Sequence, residues 1–187
     1  MNIFYLADSP IVAAQSQCDK HVVKMILESA QMLSTAHRML DGIEQRLPSK
    51  SGKRMVKAYV HPDSHLDEVL YKAVHHNHPS TVWTREAHDN YMWHYEHFVA
   101  LCDEYTYRYG KVHMTDTKLR DILATPPSKI AAGKTTIRLA MNNEPQCIVD
   151  GDPVQSYRNY YQTKQDRFSM AWSKRSVPEW FKYEAAS

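Results

Sequence analysis

Glu28 has the neighbours that most suggest chemistry. On a helix turning about 100° per residue, His21, Met25, Glu28, Met32, Thr35 and Met39 fall along one line. That line lies roughly 120° round from the centre of a core-facing stripe of Val22, Val23, Ile26, Ala30, Leu33 and Leu40. Glu28 is thereby flanked by methionines and set apart from a solvated face of Lys20, Lys24, Gln31 and Arg38. A carboxylate partly withdrawn from water suits general acid/base or electrostatic work. The plainer alternative is a Glu at a helix edge whose head reaches water, and spacing alone does not choose between them. His75, His76, His78, His88, His94 and His97 crowd into a short span, but there is no HExxH pair, no Cys/His array and no third ligand for His94 and His97. These rings read as hydrogen-bonded structural groups, with no metal and no cofactor expected.

Positive charge is concentrated locally. Arg46, Lys50, Lys53, Arg54 and Lys57 form one acid-free stretch, and Arg108, Lys111, Lys118, Arg120, Lys129, Lys134 and Arg138 a second basic region. The formal net charge of +2 averages these against acid-bearing helices. The flexible loop carrying Lys50, Lys53 and Arg54 suits phosphate contact, while Trp83, Trp180, Phe181 and Tyr183 are available to stack on bases. The plainer alternative for each basic run is a solvated face.

The elements that must position these groups read as helices. Asp8-Ser9-Pro10 starts one running to about Gln17, after an extended lead from Met1. Asp19 caps the next, which Asp41-Gly42 ends. Between 43 and 76 the pattern weakens to a loop around Leu47–Gly52 and a short helix over Ser64–His75. Ala87, Tyr91, Phe98, Leu101, Cys102 and Tyr105 recur at helical spacing and predict a long helix from Thr84 to Tyr109, stopped by Gly110. Residues 111–150 carry a short helix at Thr117–Leu123 and turns at Pro126-Pro127 and Asn142–Pro145. Asp152-Pro153 caps a last helix with Val154, Tyr157, Tyr161, Phe168 and Trp172 on one face. The expected architecture is a single all-α domain over 1–187.

The 187 residues suffice for one core. No apolar run approaches the ~20 residues of a membrane span, and no signal peptide opens the chain. Three scattered cysteines, Cys18, Cys102 and Cys147, suggest a reducing, cytoplasmic setting. Eleven His, 12 Tyr and 4 Trp against 5 Gly point to helices with many amphipathic rings, some at contact surfaces.

In this order, the segments resemble the pyrimidine-dimer DNA glycosylase family, the endonuclease V type of T-even phages and short bacterial relatives. Met1–Leu6 is similar to the family's extended N-terminus. Asp19-Lys20-His21 followed by Glu28 matches its Asp-x-His with a catalytic Glu seven residues later. Asn77-His78-Pro79 with Trp83 looks like the Asn-His-Pro and downstream aromatic of bacterial members. His97–Tyr105 with Arg108-Tyr109-Gly110 resembles their long helix, and Pro178–Tyr183 the aromatic tail. Residues 43–76 and 111–150 have no counterpart and stand as insertions. The opening also resembles proteins of large tailed phages, which implies a phage origin and a host-cytoplasm location.

The resemblance implies a DNA-directed base-excision enzyme, a glycosylase with AP-lyase activity. The α-amine at Met1-Asn2 attacks deoxyribose C1′, a Schiff base forms, and β-elimination nicks the strand. Glu28 stabilises the sugar cation and manages protons, and His21 sets its position. Lys50, Lys53, Arg54, His78, Trp83, Arg85, Trp180, Lys182 and Tyr183 would contact double-stranded DNA. Two positions differ from the family: bulky Asn2 favours retention of Met1, and Leu27 stands where the family has an Arg. A DNA-hypermodification or nucleotide-processing transferase, or a non-enzymatic DNA-binding host-takeover protein, fits the same residues.

Overall fold

The computed structural model describes residues 1–184. Its centre is α2 (Asp19–Leu40), whose second half is buried without interruption from Met32 to Arg38 because other elements surround it. It packs on α4 (Pro79–Glu86), α5 (His88–Tyr109) and α6 (Met114–Leu123), while α1 (Pro10–Gln15) lies along α5. Ile26, Leu33, Trp83, Tyr91, Phe98, Leu101, Leu119, Tyr157 and Tyr161 belong to one hydrophobic cluster. The stripe expected on α2 holds at Val22, Ile26, Ala30 and Leu33, whereas Val23 is exposed and Leu40 only half-buried.

The chain is mostly helical but not all-α. Ile43–Pro48 (β1) and Met55–Val60 (β2) form a two-stranded antiparallel hairpin, with Ile43 opposite Val60 and Pro48 opposite Met55. Gly42 makes the entry tight: a Cβ there would lie 2.2 Å from the Arg38 carbonyl oxygen. Arg38, expected on the solvated face, is buried and clamps the hairpin to the body. Its guanidinium donates to Asp67 Oδ1 at 2.6 Å and to the carbonyls of Tyr59, Asp67, Leu70 and Tyr71. The short helix beyond the hairpin, α3, covers only Ser64–Val69.

Other boundaries shift for identifiable reasons. The helix expected over Thr84–Tyr109 is two helices, broken where Ala87 adopts extended backbone (φ −151°, ψ 152°). There the His88 and Asp89 amides donate to the carbonyls of Ala131 and Gly133. Tertiary partners have replaced the intrahelical ones at a residue whose propensity favours helix. Cys18, not Asp19, occupies the N-cap of α2. The last helix, α7, spans Pro153–Gln162 and tightens into a 3₁₀ turn at Thr163–Asp166, so Phe168 and Trp172 lie beyond it. Gly110 ends α5 in the left-handed region at φ 67°, as its lack of Cβ allows.

Asp19 and Arg108 form a buried polar junction instead of a cap and a phosphate contact. Arg108 bonds Asp19 Oδ1 (3.0 Å), Glu104 Oε2 (2.9 Å) and the carbonyls of Gln15 and Gln17, with no side-chain exposure. Asp19 also receives the amide and hydroxyl of Ser173, tying the C-terminal segment to α2. Arg108→Met should lower unfolding free energy by about 3–5 kcal/mol, because it strands buried acceptors; urea denaturation followed by circular dichroism measures this.

Candidate active site

The first six residues run through the core instead of over it. Ile3 and Leu6 are fully buried. Asn2 donates through Nδ2 to the Ala140 carbonyl and accepts the Phe4 amide at Oδ1. Gln17 Nε2 donates to the Ile3 carbonyl, and Arg158 Nε to that of Leu6. Phe4 takes up φ 57°, a left-handed conformation disfavoured by its Cβ, and stacks on the His21 ring at 4.7 Å and 21°.

This path brings the amino terminus to α2. The Met1 α-amine lies 3.7 Å from Glu28 Oε2, and the Asn2 amide donates to the same oxygen at 3.2 Å. Lys24 Nζ stands 3.4 Å from Glu28 Oε1. Glu28 therefore has buried Met25 and Met32 on its own helix, as its spacing suggests, but also a cation from the face that spacing assigned to solvent. The Glu28 side chain is 14% exposed and lines a crevice of about 270 Å³ together with Met1, His21, Tyr160, Lys164 and Arg167.

No match to this chain is found among protein-family models, curated proteins or solved structures.

His21 is fixed by Tyr161. The Tyr161 hydroxyl accepts the Cys18 amide (2.9 Å) and meets His21 Nδ1 at 2.8 Å; donating its one proton there leaves the His21 ring proton on Nε2. Burial, with Lys24 and Lys164 nearby, holds the His21 pKa down to about 4, so the ring is neutral at ordinary pH. It can align Phe4 and the N-terminal segment, but it is a poor proton donor. His78 caps α4 by accepting the Ser80 amide and lines an adjoining hollow with Met1, Asn142, Asn143 and Tyr160. Burial and the nearby amino terminus lower its pKa.

The remaining expected DNA contacts are dispersed. Lys50, Lys53 and Arg54 lie exposed at the hairpin end and do not line the crevice. Trp83 is 1% exposed, with its Nε1 donating to the Thr135 carbonyl, and Phe181 is also buried; neither is free to stack on a base. Arg85 is half-buried on α4. Trp180, Lys182 and Tyr183 line a separate hollow with Arg158 and Gln162. In the second basic region Arg120 is paired with Asp103 and Asp116, and Arg138 with Glu86.

The cations that do border the crevice, Lys24, Lys164 and Arg167, were not singled out by sequence reasoning. Lys164 carried a usable signal: it stands seven residues after Tyr157, an inward position on a helix. It is buried, with Nζ 3.5 Å from the Tyr160 ring centroid.

Proposed function

We propose that this protein is a DNA-directed base-excision enzyme that removes a damaged or modified pyrimidine and cleaves the abasic strand, with the amino terminus as nucleophile. The observation that carries the proposal is the 3.7 Å approach of the α-amine to the Glu28 carboxylate in a crevice bordered by Lys24, Lys164 and Arg167. Glu28 beside the α-amine can take up its proton and free the nitrogen as a nucleophile. The amine nitrogen bonds to C1′ as the glycosidic bond breaks and the base leaves with the electron pair. The sugar opens to the imine as protonated Glu28 returns its proton to the ring oxygen O4′, and the carboxylate so regenerated takes a C2′ proton, expelling the 3′ phosphate. Lys24 and Arg167 supply cations for the flanking phosphates, and His21 is a positioning residue acting through Phe4.

Borohydride trapping on abasic and dimer-containing duplexes tests this. The expected result is a covalent protein–DNA adduct whose peptide mass maps to Met1 and which disappears when the amine is acetylated or extended by a residue. A transferase or a non-catalytic DNA-binding protein forms no such adduct. Failure to trap either duplex with an unblocked terminus overturns the amine mechanism.

A further inference from the structure

We infer that His37, Asp41 and His61 form a binding site for one divalent transition-metal ion of the zinc class. The residues come from the last turn of α2, its C-cap and the exit of β2, and one ligating atom from each lies within 4.8 Å of the others. Both rings are more than nine-tenths buried, and each has one nitrogen, His37 Nδ1 and His61 Nε2, buried without a hydrogen-bond partner. Two orphaned ring nitrogens beside a carboxylate leave polar groups in need of an occupant.

The surroundings set the ligand atoms. Tyr91 donates its hydroxyl proton to the Leu123 carbonyl (2.9 Å) and therefore accepts from His37 Nε2 (2.9 Å). With the His37 ring proton on Nε2, Nδ1 presents a lone pair to the site; the Thr125 backbone carbonyl also acts on this ring. Asp41 is oriented by the Ser128 amide (2.7 Å), the Ser128 hydroxyl (3.0 Å) and the Lys129 amide (2.9 Å). Such partners are the outer contacts that metal-ligating groups use. His61 is held by the hydrogen bond its backbone N–H donates to Asp67 Oδ1, the same oxygen that Arg38 grips.

His61 Nδ1 accepts the Asp63 amide at 3.1 Å, so its metal-free ring carries the proton on Nε2. Metal binding moves that proton to Nδ1 and gives up the Asp63 bond, without net proton release. Two imidazoles and one carboxylate favour zinc-class ions over magnesium or calcium, with solvent completing the coordination. The site is nine residues along α2 from Glu28, roughly 14 Å, and fastens the hairpin bearing Lys50, Lys53 and Arg54 to the helical body. The sequence alone led to no metal being expected, because the three ligands are separated by a turn and a whole hairpin.

Calorimetric titration of Zn²⁺ into chelator-stripped protein should give one ion per chain and raise the melting temperature. His61→Ala and Asp41→Ala, checked for folding by circular dichroism, should each weaken affinity by more than the roughly 10–100-fold that loss of an outer contact costs; His65→Ala should leave it unchanged. Long-range ¹H–¹⁵N spectra of the unaltered protein should show the His61 proton moving from Nε2 to Nδ1 on Zn²⁺ addition. No binding, or a His61 ring unchanged at saturation, overturns the site whether or not the variants fold.

Discussion

Glu28→Gln should reduce both adduct trapping and strand cleavage by roughly 10²–10⁴-fold, the range that a positioned acid/base group contributes, while leaving the fold intact. The substitution is close to isosteric. A Gln carbonyl can still accept the Asn2 amide that now reaches Glu28 Oε2 at 3.2 Å, so the N-terminal segment keeps its path. What is lost is the negative charge 3.7 Å from the α-amine, and with it the group that relays the amine proton to the ring oxygen and then takes the C2′ proton. Lys24, whose side chain is 65% exposed, is readily solvated when its partner disappears. Affinity for duplex DNA should hold or rise slightly, because a negative charge leaves a crevice bordered by cations. Single-turnover kinetics with abasic duplex, alongside a binding titration and a melting curve, separates these effects. Glu28→Asp should also be slow, since a carboxylate one methylene shorter is misplaced relative to the amine. Activity retained within a few-fold in Glu28→Gln would leave Glu28 a helix-edge residue with no chemical role.

Glu28 was legible because a carboxylate on a line of methionines is an unusual neighbour pattern. Its partner was legible only through family resemblance, since nothing in the types of Met1 or Asn2 states that their backbone is threaded through the core. The contacts responsible are long-range, from Gln17, Ala140 and Arg158. Ala140 lies in the stretch 111–150, which had no assignable role. The hairpin was illegible for a different reason: Ile43, Leu47 and Met55 stay exposed, so the alternation that normally marks a half-buried strand carries no information, and Arg46 faces Lys57 across the ladder. Arg38 and Arg108 were misassigned to solvent or phosphate because arginine is usually exposed; only the tertiary fold supplies the carbonyls and carboxylates that bury them. The histidines left unexplained by spacing divide likewise. His94 sits between Thr84 and Ser29, and His97 between Gln17 and Pro10.

Those buried rings should make the protein acid-labile well above the carboxylate range. Burial, the largest influence in each case, holds His21, His37 and His97 down to about 4 and His94 well below its ordinary value; unfolded histidine titrates near 6.5. Between those limits the unfolded chain binds protons that the native state refuses. Stability is therefore complete above about pH 6.5 and is lost as pH falls toward 4. Each ring contributes up to about 1.4 kcal/mol per pH unit, so four approach a slope of about 5 kcal/mol per unit, comparable with the lower end of total domain stability. In chelator-containing buffer the urea midpoint should stay level above pH 7, fall steeply below 6.5, and vanish before pH 4. Asp67, where burial pulls upward but the His61 amide and Arg38 outweigh it, is also held below its ordinary value; its loss comes only at lower pH and cannot mimic the earlier decline. His97→Gln separates the cause. A Gln amide can donate to Pro10 and accept from Gln17 as the ring does at 3.0 and 3.1 Å, but it does not titrate, so the slope near pH 5 should fall by about one proton. A midpoint level from pH 7 to 4.5, or an unchanged slope in His97→Gln, would show that these rings do not control acid unfolding. Gln17 also holds the Ile3 carbonyl and His21 stacks on Phe4, so protonation loosens the segment that presents the amine to Glu28. Strand cleavage should consequently fail in the same pH window as the fold.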